Sequence, residues 1–174
     1  PTADSPAGQV ADDQIVATYD DHVSAGIFAD ASDVVTIEFE NIPAATLRTI
    51  EPHTIVRPGS HMVDIAQNRL VEKSFLTDND FPVPLFYPVT DLDSLHTSLG
   101  RIGKPSVLKT ALGGYDGKGQ WKLDSPDDAL SAWKQLDGRD AIVEEFVDFD
   151  RELSVIVARD VQGNTLCYPP SQNT

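Results

Sequence analysis

The sequence predicts an α/β unit followed by an α+β unit in one chain. Three observations carry that expectation. Short β-branched runs alternate with capped helical stretches between Gln14 and Arg57. From Val107 onward strands outnumber helices, and a glycine-rich turn separates the first two of them. Between the two patterns Phe81–Pro88 carries three prolines, which deny it a helix and a central place in a sheet.

Taken in order, residues 1–13 are rich in Pro, Gly, Asp and small side chains and read as loop. Gln14 to Thr18 is a short apolar run with the profile of a strand. Asp20 and Asp21 stand where an N-cap is wanted, ahead of a helix through Phe28. Asp33 to Phe39 is β-branched and apolar, the pattern of a buried parallel strand, with Glu38 at its end. Asn41 can cap the next helix, with Pro43 in the first turn and Leu47 and Ile50 on one face. Thr54 to Arg57 is a further strand, closed by Pro58-Gly59. This alternation calls for a parallel sheet and reads as the later part of a Rossmann-like unit.

A helical region then runs from Ser60 to a break at Asp78–Asp80, with Ile65, Ala66, Leu70 and Phe75 at helical spacing. Asp91 caps a helix that turns Leu92, Leu95 and Leu99 inward. Ser125-Pro126-Asp127-Asp128 is a strong helix start, followed by an apolar face of Leu130, Trp133 and Leu136 and a stop at Gly138. Ala141 to Val147 and Glu152 to Ala158 read as strands joined by the acidic turn Asp148-Phe149-Asp150. A last strand covers Thr165 to Tyr168. The join between the units falls near residues 58–68. This divides the chain into 1–58 and 59–174, with a lid subdomain over about 85–150.

Bulk composition excludes several classes. The 174 residues are 40% apolar and 24% charged, ordinary for a globular chain. No run approaches the roughly 18 apolar residues of a membrane span, and the start lacks the basic-then-apolar order of a signal peptide. A net charge of −15 argues against nucleic-acid binding. A single cysteine, Cys167, precludes an internal disulfide and suits a reducing cytoplasm; in an apolar strand it reads as a small buried hydrophobe. His22, His53, His61 and His96 have no metal-ligand spacing and read as structural or solvated. The opening at Pro1 and the irregular Tyr168–Thr174 stretch read as those of a piece of a longer protein.

Against the acidic background, residues 101–122 hold five basic side chains (Arg101, Lys104, Lys109, Lys118, Lys122) and one acid, Asp116. The strand Val107-Leu108-Lys109 enters a loop with Gly113, Gly114, Gly117 and Gly119, and Gln120-Trp121-Lys122-Leu123 returns as a strand. Glycines let backbone N–H groups crowd an anion, and lysines add full charge, so the pattern fits a phosphate clamp. A plain glycine turn with solvated lysines has the same composition. A Walker A loop does not fit, because Leu112 occupies its first glycine position and Gly119 its hydroxyl position. The dinucleotide fingerprint does not fit either, because a strand follows instead of a helix. A glycine hairpin between antiparallel strands is a lid, able to close over a triphosphate. The second cluster is Ile142-Val143-Glu144-Glu145-Phe146-Val147 with Glu152 beyond it. It could offer an adenine slot and a ribose acceptor, or be an ordinary hairpin with exposed acids.

Four strings together resemble the ATP-grasp superfamily, and within it the carboxylating branch of N5-carboxyaminoimidazole ribonucleotide synthetases. They are Val-Thr-Ile-Glu-Phe-Glu-Asn-Ile-Pro (35–43), Ala-Gln-Asn-Arg-Leu-Val-Glu-Lys-Ser-Phe-Leu (66–76), Leu-Lys-Thr-Ala-Leu-Gly-Gly-Tyr-Asp-Gly-Lys-Gly-Gln (108–120) and the run 143–159. The resemblance spans residues 5–169, and the Gly-Gly-Tyr-Asp-Gly-Lys-Gly-Gln loop is specific to this branch. It implies a truncated preATP-grasp domain followed by a partial ATP-grasp domain. Lys109 and Lys118 would hold the ATP phosphates under a lid of Gly114, Tyr115, Asp116, Gly117, Lys118, Gly119 and Gln120, with Arg69 as a further nucleotide contact. Glu144, Glu145, Phe146 and Val147 would form the adenine hinge and Glu152 would take the ribose. Tyr115 and Asp116 would touch 5-aminoimidazole ribonucleotide, and Glu38 is a weaker substrate candidate, equally suited to a structural capping role.

The implied reaction uses ATP, Mg2+ and bicarbonate. Carboxyphosphate forms first, and the ribotide amine takes up the CO2 unit. A homodimer is implied for the full-length protein. In the resembled family the magnesium-binding acids and the bicarbonate site follow the equivalent of Thr174, so this piece alone is expected to be inactive. Residues 170–174 depart from the family pattern, which leaves their register open. Two other readings share the lid: another ATP-grasp carboxylate–amine ligase, and a non-catalytic nucleotide-binding module.

Overall fold

The structure is a computed structural model describing residues 2–103, 105–114 and 118–173. Its first unit is built on a βαβ turn. Helix α1 (His22–Asp30) begins where Asp21 accepts from the N–H groups of Val23 and Ser24. Strands β1 (Val34–Thr36) and β2 (Ile55–Arg57) pair in parallel with Val35 opposite Val56, and α2 (Ala44–Ile50) connects them. Leu47 and Ile50 are buried with Val35, Val56 and Val63, the last from α3 (Ser60–Gln67).

Several local expectations are corrected here. Gln14–Thr18 is irregular, with Ile15 and Val16 exposed, because β-branched residues make a strand only where a neighbour completes the ladder. No described strand pairs with that segment. Pro43, not Asn41, is the N-cap residue of α2; its φ of −57° leads straight into the helix without a side-chain bond. β1 stops at Thr36, so Glu38 lies beyond the strand, exposed, where Ile42 N–H donates to the Phe39 carbonyl.

The helical stretch after Ser60 is two helices. Asn68 is extended (φ −117°, ψ 112°), forms an antiparallel bridge with Leu112, and caps α4 (Arg69–Asp78) by accepting from Leu70 and Val71. A long-range bridge breaks the helix, and no local period reports such a contact.

The second unit is a four-stranded antiparallel sheet in the order β3-β6-β4-β5. Its strands are β3 (Phe86–Val89), β4 (Ser106–Thr110), β5 (Gln120–Leu123) and β6 (Ala141–Glu145), with helices α5 (Leu92–Ile102) and α6 (Pro126–Leu136). Pro88 lacks a donor, and β3 accordingly takes an edge. Asp91 and Ser94 cap α5 reciprocally. Ser125 caps α6, which stops at Asp137 and Gly138, both left-handed.

Residues directly opposite in antiparallel strands share a face. Leu108, Val143 and Tyr87 therefore point one way, into a core with Leu95, Leu123 and Leu136. Each such leucine contributes about 2 kcal/mol by leaving water. Leu130 is not part of that face and is 42% exposed; Ala129, Ala132 and Leu136 follow the buried stripe instead.

Beyond Glu145 the chain forms two small ladders, β7 (Leu153–Ser154) with β10 (Ser171–Gln172) and β8 (Val157–Arg159) with β9 (Thr165–Cys167). The strand expected over Glu152–Ala158 is split between those ladders. All described residues after Val147 are exposed, so Cys167 is not the buried hydrophobe expected of it. A two-stranded ladder without a covering layer has no inside. No helix among the described residues is long and apolar enough to cross a membrane.

Candidate functional site

The second face of the sheet carries the charge. Across the ladder Lys109 faces Ile142 and Gln120, while Val107 faces Glu144 and Lys122. Helix α4 lies on this side. Lys109 Nζ donates to Glu144 Oε2 at 3.0 Å, and Lys73 Nζ from α4 reaches the same oxygen at 3.2 Å. Glu144 is 3% exposed, so its charge is compensated by these lysines and not by water. Lys73 was not singled out by sequence reasoning. Its spacing of four residues from Arg69 places the two on one helix face, a signal that was available.

Arg69 ties down the glycine segment that follows β4. Its Nη1 donates to the carbonyls of Thr110 (2.7 Å) and Gly113 (2.5 Å), and its Nη2 to that of Gly114 (2.9 Å). Arg69 N–H adds a bond to Ala111 C=O at 2.9 Å. Gly114 (φ +80°) and Gly119 (φ +70°) close over Thr110, and a Cβ at Gly119 would stand 2.9 Å from Thr110 Oγ1. Thr110 N–H donates to Gly119 C=O at 2.9 Å, which pins the base of the hairpin. Lys118 is exposed in the turn leading into β5, whose first residue is Gln120. Tyr115, Asp116 and Gly117 lie outside the described residues.

The expected hinge divides by side chain. Glu144 turns its carboxylate Oε2 to the two lysines. Glu145 is exposed and its N–H donates to Leu85 C=O, while Phe146 N–H donates to Pro105 C=O. Lys122 Nζ sits 4.6 Å from the centre of the Phe146 ring, and Val147 is 48% exposed beside it. Glu152 lies apart, on the exposed ladder, where Asn173 Nδ2 donates to it at 2.5 Å. Glu38 does not join Arg69. A cleft of about 420 Å3 between the two units is lined by Ile37, Glu40, Gln67, Arg69, Gly113 and Gly114, among others.

A lysine-bearing strand, a glycine turn braced by Arg69 and an adjacent acidic strand make up an antiparallel α+β domain that follows a βαβ unit. Comparison gives that class its family. A profile of the ATP-grasp domain matches residues 74–174, and one of the ribonucleotide synthetase preATP-grasp domain matches residues 1–67. The chain belongs to the ATP-grasp family.

It is 41% identical over 175 residues to N5-carboxyaminoimidazole ribonucleotide synthase of Brucella melitensis, covering 99% of this chain and 48% of that one. The same enzyme of Bacillus subtilis is 38% identical, with 99% and 46% covered. A crystal structure of an N5-carboxyaminoimidazole ribonucleotide synthetase with ADP superposes on 100% of this chain and 46% of that one, with TM-score 0.94 and 42% identity. The ADP complex from Staphylococcus aureus also superposes with TM-score 0.94, at 29% identity, over 100% of this chain and 47% of that one. The chain thus spans about half the length of these relatives. The expected preATP-grasp and ATP-grasp pairing holds.

Proposed function

We propose that the full-length protein is an ATP-dependent ligase. It carboxylates 5-aminoimidazole ribonucleotide with bicarbonate, through carboxyphosphate, to N5-carboxyaminoimidazole ribonucleotide in purine biosynthesis. The observation that carries this reading is Lys109 on the charged face, one strand residue from a glycine hairpin whose base is held by Arg69 and shaped by left-handed Gly114 and Gly119. Two relatives at 41% and 38% identity with that named activity support the acceptor.

In this reading Lys109 and Lys118 neutralise the ATP phosphates and Gly114 to Gln120 closes over them. Charge neutralisation and exclusion of water are what a labile acyl phosphate needs from a protein. Arg69 fixes the base of the lid through the carbonyls of Thr110, Gly113 and Gly114. The adenine edge meets Val147 and the carbonyls of the hinge, since the N–H groups of Glu145 and Phe146 are already engaged. Glu152 takes the ribose, and Tyr115 and Asp116 touch the aminoimidazole. Glu38 has weaker standing as a substrate contact than Glu40, which lines the cleft beside Arg69.

Mg2+, a homodimer and a cytoplasmic location belong to the same proposal. Among the described residues no group of three or more His, Cys, Asp or Glu side chains gathers to hold a metal. The test is ADP release by the full-length protein. Release that needs both bicarbonate and 5-aminoimidazole ribonucleotide is expected. Turnover with a different carboxylate and amine would transfer the site to another ligase of the family, and binding of ADP without turnover would leave a nucleotide-binding module.

A further inference from the structure

Glu144 has more positive charge beside it than one carboxylate needs. Both Lys73 and Lys109 point their ammonium groups at Oε2, and all three side chains are largely withdrawn from water, at 15%, 25% and 4% exposure. Oε1 is buried with no hydrogen-bond partner among the described residues. One lysine would compensate the buried charge, and a second ammonium on the same oxygen adds repulsion between the cations. The redundancy makes sense if one lysine is needed elsewhere.

Their positions say which one. Lys109 is the more exposed of the two and leads along β4 to the glycine hairpin. Lys73 sits deeper, on α4, one turn beyond the Arg69 that holds the lid base. If Lys109 turned to a phosphate without Lys73 in place, Glu144 would remain as an unpaired buried carboxylate. That penalty would be charged against nucleotide binding.

We propose that Lys73 is a positioning residue, the standing counter-ion of Glu144 that releases Lys109 to the nucleotide phosphates. The inference rests on the reading of Lys109 as a phosphate lysine. Helix α4 then serves the clamp twice, tying the lid base through Arg69 and the lysine exchange through Lys73.

The experiment is calorimetric titration of ADP into the full-length protein and four variants. Lys73→Met is expected to weaken ADP binding about tenfold, because Lys109 is then retained by Glu144. Lys73→Arg restores the cation and is expected to stay within about threefold of the wild type. The decisive variant is Lys73→Met/Glu144→Gln, which has no buried carboxylate to compensate. It should recover most of the lost affinity, and it remains informative if Lys73→Met alone fails to fold.

A merely structural role for Lys73 predicts no such recovery. An affinity for Lys73→Met within about twofold of the wild type, or a double variant as weak as the single one, overturns the proposal. Lys109→Ala distinguishes failure of the phosphate role of Lys109 from failure of the Lys73 role. If it leaves ADP affinity unchanged, the phosphate reading fails and this inference falls with it. If it weakens binding while Lys73→Met does not, only the role of Lys73 is lost.

Discussion

The two faces of the β3-β6-β4-β5 sheet use the same strands for opposite purposes. On one face Leu108 and Val143 are fully buried under α5 and α6, in one apolar cluster with Leu95 and Leu136. One residue along each strand, Lys109 and Glu144 face the other way and meet Lys73 of α4. Because successive strand residues alternate in direction, stability and chemistry are separated by a single peptide unit. The lesson is that a change at an odd or an even position of β4 should move different observables.

Leu108 provides the largest break. Leu108→Ala empties the centre of the packed face and should destabilise the protein by about 3 kcal/mol in denaturant unfolding, since the two flanking helices cannot fully collapse into the void. Its neighbour should behave in the reverse manner. Lys109→Ala is expected to weaken ATP binding about a hundredfold, measured by titration, because a desolvated phosphate loses its partner. Its unfolding free energy should change little, because Lys73 still compensates Glu144. Equal losses of stability from both variants would erase the distinction between the faces.

Gly119→Ala tests the hinge between them. The residue has φ +70°, and the added Cβ would crowd Thr110 Oγ1, so a loss of about 1–2 kcal/mol in stability is expected. The smallest effect lies away from the sheet. Glu51 accepts from the N–H of Ser60, at the start of α3, and from its hydroxyl, and these bonds lower its pKa from the ordinary 4.5. A depressed carboxylate stabilises the fold above its unfolded pKa, and that contribution is lost as pH falls through the folded one. Melting curves taken below pH 4.5 should therefore fall less steeply for Glu51→Gln than for the wild type.

Much of this was legible from residue order, because it rests on short-range chemistry. Asp21, Asp91 and Ser125 announce their helices because a cap acts within three residues. The glycine hairpin is visible because left-handed turns select glycine locally. Alternation along 106–110 even separates Lys109 from Leu108 before any fold is known.

Other features needed contacts between distant segments. Asn68 interrupts a helical pattern because Leu112, far along the chain, bridges to it. Gln14–Thr18 has strand composition but lacks a ladder, and Cys167 has core chemistry but lies on an uncovered ladder. The commitment of Glu144 to Lys73 and Lys109 likewise depends on α4 crossing the sheet. Local propensity chooses caps, turns and strand faces; which charges share a buried oxygen is chosen by packing, since desolvation exists only after the segments meet.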